Sequence, residues 1–405
     1  MAGKLTLFSF FSGSGFLDLG FETNGFEVAY VNEIHRPFQD AYKYSRNLLN
    51  LPHAKYGYYS DDVAKLTDDN ACHKLAELIA DARLTSKVIG FIGGPPCPDF
   101  SIGGRNRGRD GDNGKLSGSY IELVCRLQPD FFLFENVKGL WKTQKHRSFY
   151  EELKRKVQDA GYITSEKLIN SIEYSVPQDR DRIILLGFNL SLFGKDLSGE
   201  RSISEFVLPW NSYKRYIKKS VLNIAWPKTE PFQIDSEKRK PDEVIEELTV
   251  EHWFRRNDVY NHPNAQHFFK PRAGLKRFNS IDEGDDSKKS FKRLHRWRYS
   301  PTACYGNNEV HLHPYKARRI SVSEALSIQS LPALYSLPPY MSLTDMFKTI
   351  GNGVPYLVAV ALSNLIAEIF DDEKMTDFLD WTNELKESHF EAVSNQPIQL
   401  GLKFS

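Results

Sequence analysis

Short apolar runs alternate with amphipathic stretches along residues 5–188, and that rhythm leaves few folds open. Leu5-Thr6-Leu7-Phe8-Ser9-Phe10 reads as a strand running into the turn Ser12-Gly13-Ser14-Gly15. Residues 16–23 read as a short helix stopped at Asn24-Gly25, a pair suited to left-handed backbone. Residues 27–31 form the next strand, which ends at Asn32-Glu33. Residues 69–84 read helical, with Leu75, Leu78, Ile79 and Ala82 on one face. The run 88–92, broken only by Gly90, and the run 131–134 suit strands covered on both sides. Phe149, Leu153 and Val157 make a helical stripe closed by Gly161, and 183–186 is one more buried strand. Strands alternating with helices in this way imply an α/β fold built on a doubly wound parallel sheet.

Residues 189–310 break the rhythm. They are rich in Pro, Asn, Ser, Lys and Arg, with scattered aromatics and no sustained period, so they read as an irregular, partly β module. Helical order returns near residue 318, first in 323–330. Pro355 then opens a helix carrying Val358, Leu362, Leu365 and Ile369. The chain of 405 residues has a net charge of +1, so the whole-chain balance says nothing about partners. Its distribution does: residues 189–315 hold 22 Lys and Arg against 17 Asp and Glu, and residues 255–298 hold 12 against 5. Such a block suggests a polyanion partner, although a merely solvated basic face explains it equally well. Four cysteines without a CxxC pair exclude a disulfide scaffold and a clustered zinc site, and fit a reducing, cytoplasmic setting. No apolar run reaches the roughly 18 residues of a membrane span, and no signal peptide fits the N-terminus.

Four segments carry chemistry. In the strand-to-helix turn 11–16, glycines let backbone approach a ligand, and Glu33 follows Gly13 by 20 residues, where an acid can take the hydroxyls of an adenosine ribose. A full GxGxxG is missing, and Phe16 and Asp18 crowd the region a pyrophosphate would occupy; a nucleoside without a diphosphate, such as S-adenosyl-L-methionine, fits better. Gly93-Gly94-Pro95-Pro96-Cys97-Pro98-Asp99-Phe100-Ser101 leaves a buried strand at its carboxyl end, where ligands of open α/β sheets sit. Cysteine is ordinarily a small buried hydrophobe, the reading given to Cys72, Cys125 and Cys304; Cys97, stiffened by prolines at a strand end, is a candidate nucleophile. Glu135, in Phe134-Glu135-Asn136-Val137, ends another buried strand, and Glu is rarely buried unless paired or working. In Gln178-Asp179-Arg180-Asp181-Arg182 the alternation places Gln178, Arg180 and Arg182 on one face; Arg forks suit phosphate and carbonyl oxygens, but salt bridges to Asp179 and Asp181 account for them as well.

These elements, in this order, resemble the DNA cytosine-C5 methyltransferases of restriction–modification type. Phe11-Ser12-Gly13-Ser14-Gly15 is similar to their first motif, Gly94-Pro95-Pro96-Cys97 to their catalytic loop, Glu135-Asn136-Val137 to their ENV and Gln178-x-Arg180-x-Arg182 to their QxRxR. Residues 319–332 are similar to their ninth motif, and Gly351-Asn352-Gly353-Val354-Pro355 to their last. Three positions depart from the pattern: Pro98 replaces a Gln, Ser323 an Arg, and Phe16 the second glycine of a pair.

The resemblance implies a Rossmann-like, S-adenosyl-L-methionine-dependent methyltransferase sheet in 1–188, completed by 316–370. A smaller target-recognition domain for double-stranded DNA would occupy 189–315, and 371–405 would form a peripheral tail. It implies Cys97, Glu135, Arg180 and Arg182 as catalytic residues. Around the cofactor it places Phe11, Gly13, Gly15, Leu17, Glu33, Asp62, Pro96, Leu116, Asn352 and Val354, with S-adenosyl-L-homocysteine as product and no metal. The glycine- and arginine-rich stretch 102–109 looks like the family's closing lid. Expected DNA contacts are Ser101, Arg105, Arg107, Arg255, Arg256, Arg272, Lys276, Arg277, Arg293 and Arg296. A bacterial or phage-type, cytoplasmic, monomeric protein paired with a restriction endonuclease follows. The same chemistry directed at tRNA is a second reading, although the Cys-Phe-Thr signature of that branch is absent. A catalytically silent DNA-binding relative is a third, and a plain Rossmann dehydrogenase leaves the Pro-Pro-Cys loop unexplained.

Overall fold

The computed structural model describes residues 4–96, 112–193, 208–271, 275–288, 290–303, 305 and 310–371. In chain order its elements are β1 (Lys4–Phe10), α1 (Phe16–Thr23), β2 (Glu27–Asn32), α2 (Arg36–Leu48), β3 (Tyr58–Tyr59), α3 (Asp69–Arg83), β4 (Ser86–Gly93), α4 (Asp112–Leu127), β5 (Phe131–Val137), α5 (Lys138–Lys142) and α6 (Gln144–Asp159). There follow β6 (Tyr162–Asn170), β7 (Gln178–Asp179), β8 (Asp181–Asn189), α7 (Lys218–Leu222), α8 (Val250–Arg256), α9 (Leu275–Asn279), β9 (Lys292–Arg293), β10 (Ser300–Pro301), β11 (His311–Leu312), α10 (Val322–Ile328), α11 (Leu343–Asn352) and α12 (Tyr356–Ile369).

Seven strands make one sheet in the order β3-β2-β1-β4-β5-β8-β6. The α/β expectation holds, but the sheet is not wholly parallel: β8 runs antiparallel to both β5 and β6. The reason is local. No crossover helix separates β6 from β8, and a tight return without one can join only antiparallel neighbours. The sequence pattern also passed over β6, α4, α11 and α2, the last of which has a proline in its first turn.

Both faces of the sheet are buried. One core gathers Leu7, Val28, Ile92, Phe131, Ile184 and the α12 residues Val358, Leu362 and Leu365; the other gathers Phe8, Phe91, Phe132, Tyr120, Leu153 and Ile79. Leu343–Ile369 is long and apolar enough to cross a membrane, contrary to the run-length reading, but α11 and α12 divide it at Gly353-Val354-Pro355 and it is mostly buried.

Leu208 and Trp210 join the sheet's core, and the Trp210 indole donates to Ser165 Oγ at 3.0 Å. A third core mixes α8 (Val250, Phe254) with Phe16, Ile320, Val322, Leu326 and Ile350, and β10 pairs with β7. The module and the returning segment are therefore sewn together rather than merely adjacent.

Candidate active site

The turn after β1 is built from left-handed backbone: φ is +53° at Phe11, +56° at Gly13 and +79° at Gly15, the residue that opens α1. Glu33, at the end of the neighbouring β2, braces it. Its carboxylate accepts the Gly13 N–H at 2.8 Å with one oxygen and the His35 N–H at 2.8 Å with the other. Burial pushes the Glu33 carboxyl up, against those two N–H groups and the nearby His35 and Lys348, which hold it down. Each carboxylate oxygen keeps a second acceptor site, so the brace leaves room for ribose hydroxyls. Asp62 lies in the same neighbourhood, since Asn32 Nδ2 donates to the Asp61 carbonyl at 3.0 Å. One Asp62 oxygen is already committed to the Ala64 N–H, capping the short helix 63–67.

Several of the other expected cofactor residues lie near this turn. Phe11 packs edge-on against Tyr120, one helical turn after Leu116 on α4. Ser14 Oγ lies 2.7 Å from Thr349 Oγ1 on α11, and the Phe16 ring lies against Gly353, where any Cβ would collide with it. That contact explains why an aromatic ring tolerates the position of a family glycine: its partner is glycine instead. Leu17 and Val354 are buried, Leu116 and Pro96 half-buried, and Asn352 exposed. Ser12 Oγ is buried with no partner among the described residues, and the N-terminus of α1 has no side-chain cap. An adenosine-bearing ligand with a charged amino-acid end fits these residues, since hydroxyls suit the carboxylate and a helix start suits an anion.

Beyond β4 the chain passes through Gly94, Pro95 and Pro96. Asn136 Nδ2 donates to the Pro95 carbonyl at 3.4 Å, and a Cβ at residue 94 would lie 2.8 Å from Glu135 Oε2. This loop therefore lies directly against Glu135, which is 6% exposed. Arg182 Nε lies 2.8 Å from Glu135 Oε1. Antiparallel register explains the pair: Val137 faces Arg182 and Glu135 faces Ile184, so Glu135 and Arg182 are diagonal neighbours on one face.

Two sets of expectations need correction. Arg180 is buried, and it donates to the carbonyls of Ala303 at 3.1 Å, Gly351 at 3.0 Å and Gly353 at 3.2 Å. Gln178 works alongside it, accepting the Ala303 N–H at 3.0 Å and donating towards Gln329 Oε1 at 3.2 Å. Of the three QxRxR side chains, Arg180 holds the backbone of the last motif, Gln178 holds Ala303 and Gln329, and Arg182 reaches Glu135.

Arg293 and Arg296 are likewise withdrawn as DNA contacts. Arg293 is fully buried and donates to the carbonyls of Ile281 at 2.7 Å, Phe278 at 2.6 Å, Lys316 at 3.1 Å and His313; burial lowers it to about 10. Arg296 is 3% exposed and makes a forked pair with Glu283, at 2.8 and 3.0 Å. Arg255, Arg256, Lys276 and Arg277 are exposed, with Arg255 paired to Glu251 and Arg256 lying over Trp253. Cys97, Pro98, Ser101, Arg105, Arg107 and the rest of 97–111, with Arg272 and Cys304, lie outside the described residues. Asn136, Gln329 and Thr349 are positioning residues the sequence reading did not single out, although each belongs to or adjoins a motif it quoted.

Comparison with known proteins gives the family. A profile of the C-5 cytosine-specific DNA methylase family matches residues 5–368. Type II methyltransferase M.NmeDI of Neisseria meningitidis serogroup C is 54% identical over 361 residues, 89% of this chain and 83% of that one. Type II methyltransferase M.FnuDI of Fusobacterium nucleatum is 29% identical, covering 91% and 96%. In fold, a solved protein encoded within an E. coli prophage superposes with a TM-score of 0.61 at 22% identity, covering 90% of this chain and 99% of that one. The chain belongs to the C-5 cytosine-specific DNA methylase family and is a DNA cytosine-5 methyltransferase of Type II restriction–modification kind.

Proposed function

We propose that this enzyme takes its methyl group from S-adenosyl-L-methionine and acts through a bond between Cys97 and C6 of a cytosine swung out of duplex DNA. The observation that carries the reading is the buried Glu135–Arg182 pair at 2.8 Å, lying against the Gly94-Pro95-Pro96 loop that leads straight into Cys97.

Cytosine C5 is a poor nucleophile, so the ring must be activated first. The Cys97 thiolate adds to C6, forming an S–C6 bond and moving an electron pair towards C5. A free thiol has a pKa of about 8.5, so the pocket must favour the thiolate. Glu135 hydrogen-bonds the ring at N3 and Arg182 holds O2, offsetting the charge that develops. The turn 11–17, Glu33, Asp62 and Val354 would hold the donor, which would supply an electrophilic methyl that C5 takes as the sulfonium S–CH3 bond breaks, leaving S-adenosyl-L-homocysteine. Loss of the C5 proton then lets the S–C6 bond break, and Cys97 leaves with its electron pair. Arg180 serves this chemistry indirectly, by holding the 351–353 backbone. Because C6 lies within the stack, the nucleotide must be everted at a cost of a few kcal/mol.

The module 189–315 supplies the DNA-reading surface, with Arg255, Arg256, Lys276 and Arg277 on phosphates and neighbouring side chains on base edges. As in restriction–modification systems generally, the methylated sites would be those of a cognate endonuclease, in the cytoplasm, a compartment that suits the free Cys72 and Cys125.

Tritiated methyl transfer from S-adenosyl-L-methionine to duplex DNA tests the reading. The expected result is incorporation that Cys97→Ala abolishes, and a 5-fluorocytosine duplex trapped covalently by the native enzyme alone. Full activity in Cys97→Ala overturns the covalent route, and label found only in tRNA overturns the substrate. Glu135→Gln should keep S-adenosyl-L-homocysteine binding while losing most turnover.

A further inference from the structure

Beneath the cofactor turn lies an ionic cluster that none of the chemistry above uses. Arg46, on α2, is completely buried. Its Nη2 donates to the Gly15 carbonyl at 2.9 Å and to Glu22 Oε2 at 2.6 Å; its Nη1 reaches the Ser14 carbonyl at 3.5 Å. The guanidinium stacks on the Tyr42 ring, 3.9 Å from its centroid, and Tyr42 in turn donates to Asp18 at 2.9 Å. The Tyr335 hydroxyl donates to the same Ser14 carbonyl at 2.7 Å. A Cβ at residue 15 would lie 2.5 Å from both Arg46 Nη1 and the Tyr42 ring. Glycine is thus required there by this cluster as well as by its φ.

A buried ion pair gives little net stability over well-packed apolar side chains, so stability alone does not explain why Arg46 and Glu22 are inside. What they provide is direction. In a trans peptide the C=O and N–H point opposite ways. The Gly15 carbonyl accepts the Leu19 N–H at 3.0 Å as well as Arg46, and held so it aims the Phe16 N–H out of the start of α1. Fixing the Ser14 carbonyl aims the Gly15 N–H back at the Ser12 carbonyl, which it meets at 2.8 Å. The turn that faces the donor is held in shape by donors from two distant parts of the chain.

We propose that Arg46 and Tyr335 are positioning residues for the methyl donor, setting its affinity by locking the carbonyls of Ser14 and Gly15. The proposal rests on the S-adenosyl-L-methionine reading of this turn. The test is calorimetric titration of S-adenosyl-L-homocysteine into the full-length native enzyme, Tyr335→Phe and Arg46→Lys, with duplex DNA affinity and melting temperature alongside.

Tyr335→Phe removes one oxygen and should weaken S-adenosyl-L-homocysteine about three- to tenfold, the scale of one buried hydrogen bond. Arg46→Lys cannot span two carbonyls and a carboxylate, and should weaken it more than tenfold. Duplex affinity should stay within twofold, and KM for S-adenosyl-L-methionine should rise in step with the binding loss while kcat holds. If Arg46→Lys does not fold, Tyr335→Phe decides alone. Native binding with unchanged affinity in Tyr335→Phe overturns the proposal, as does DNA affinity falling in parallel, the mark of general loosening. A native enzyme that does not bind S-adenosyl-L-homocysteine overturns instead the cofactor reading beneath it.

Discussion

Around the central sheet two large apolar clusters form the core, with buried charges such as Arg46, Asp18, Glu135 and Arg180 gathered near the site, whereas between residues 208 and 315 the interior carries Arg293, Arg296, Glu283, His295, His311 and His313. One apolar cluster confined to this second region is small, holding Phe278, Ile281, Val310 and Leu312, and another joins Val221 and Leu248 to Ile172 of the sheet segment. The sheet is held by area removed from water, which is non-directional and scales with the surface buried. The module shares its larger apolar cluster with the returning segment and adds directed bonds from buried arginines to backbone carbonyls. Its lysines and arginines are therefore divided between those that face solvent and those that act as internal struts.

The sharpest way to break that contrast is to remove a strut. Arg293→Met keeps much of the side chain's length but strips donors from four carbonyls inside the module. Leaving buried acceptors unpaired should cost about 3–5 kcal/mol. The expected outcome is loss of duplex binding with S-adenosyl-L-homocysteine affinity retained, read by urea unfolding and titration. If both ligands are lost together, the two regions form one cooperative unit and the contrast is only one of composition.

How far the sequence disclosed this follows the same division. The strands at 5–10, 88–92, 131–134 and 183–186 and the helices at 16–23 and after Pro355 were legible, because two-sided burial leaves an unbroken apolar run and a glycine or proline at its end. The reversed direction of β8 was not, since direction depends on the connection rather than on the strand's own residues. At the site, Glu33, Glu135 and Arg182 stood at strand ends, where side-chain type and position together carry information. Arg180 looked equivalent to Arg182 by alternation, and only the return of residues 303 and 351–353 from far along the chain shows where its donors go. Arg293 and Arg296 failed for the same reason: a charge count sees an arginine but not the carbonyls that enclose it.

A smaller effect should appear where the sheet is sensitive, in volume rather than charge. At Gly90 an added Cβ would run into the Phe131 ring on the adjacent strand β5 and lie 2.9 Å from Leu7 on β1. Gly90→Ala should cost about 1–3 kcal/mol by overpacking, and Phe131→Leu in the same chain should recover part of that loss. Equal costs in the single and double variants, measured by urea unfolding, would mean that the ring is not what limits the position.

Acid should separate the two regions with opposite signs. In the module, burial lowers His311 from 6.5 to about 3. The unfolded chain therefore binds a proton near pH 6.5 that the folded one refuses, and stability falls as pH drops from that value towards 3. From pH 7.5 to 5.5 this one histidine should cost about 1 kcal/mol, at 1.36 kcal/mol per pKa unit, and burial lowers His262, His295 and His313 in the same direction. Beneath the cofactor turn, burial raises Asp18 from 3.8 to about 6, against the pull of Arg46. There the folded state binds the extra proton, so stability falls as pH rises from about 4 through 6 and is regained, by somewhat under ~1 kcal/mol, on going from pH 7.5 to 5.5. Duplex binding should accordingly weaken on mild acidification before S-adenosyl-L-homocysteine binding does, and His311→Gln should flatten the module's acid loss by about 1 kcal/mol. Parallel loss of both ligands, unchanged in His311→Gln, would show that neither buried group governs the acid response.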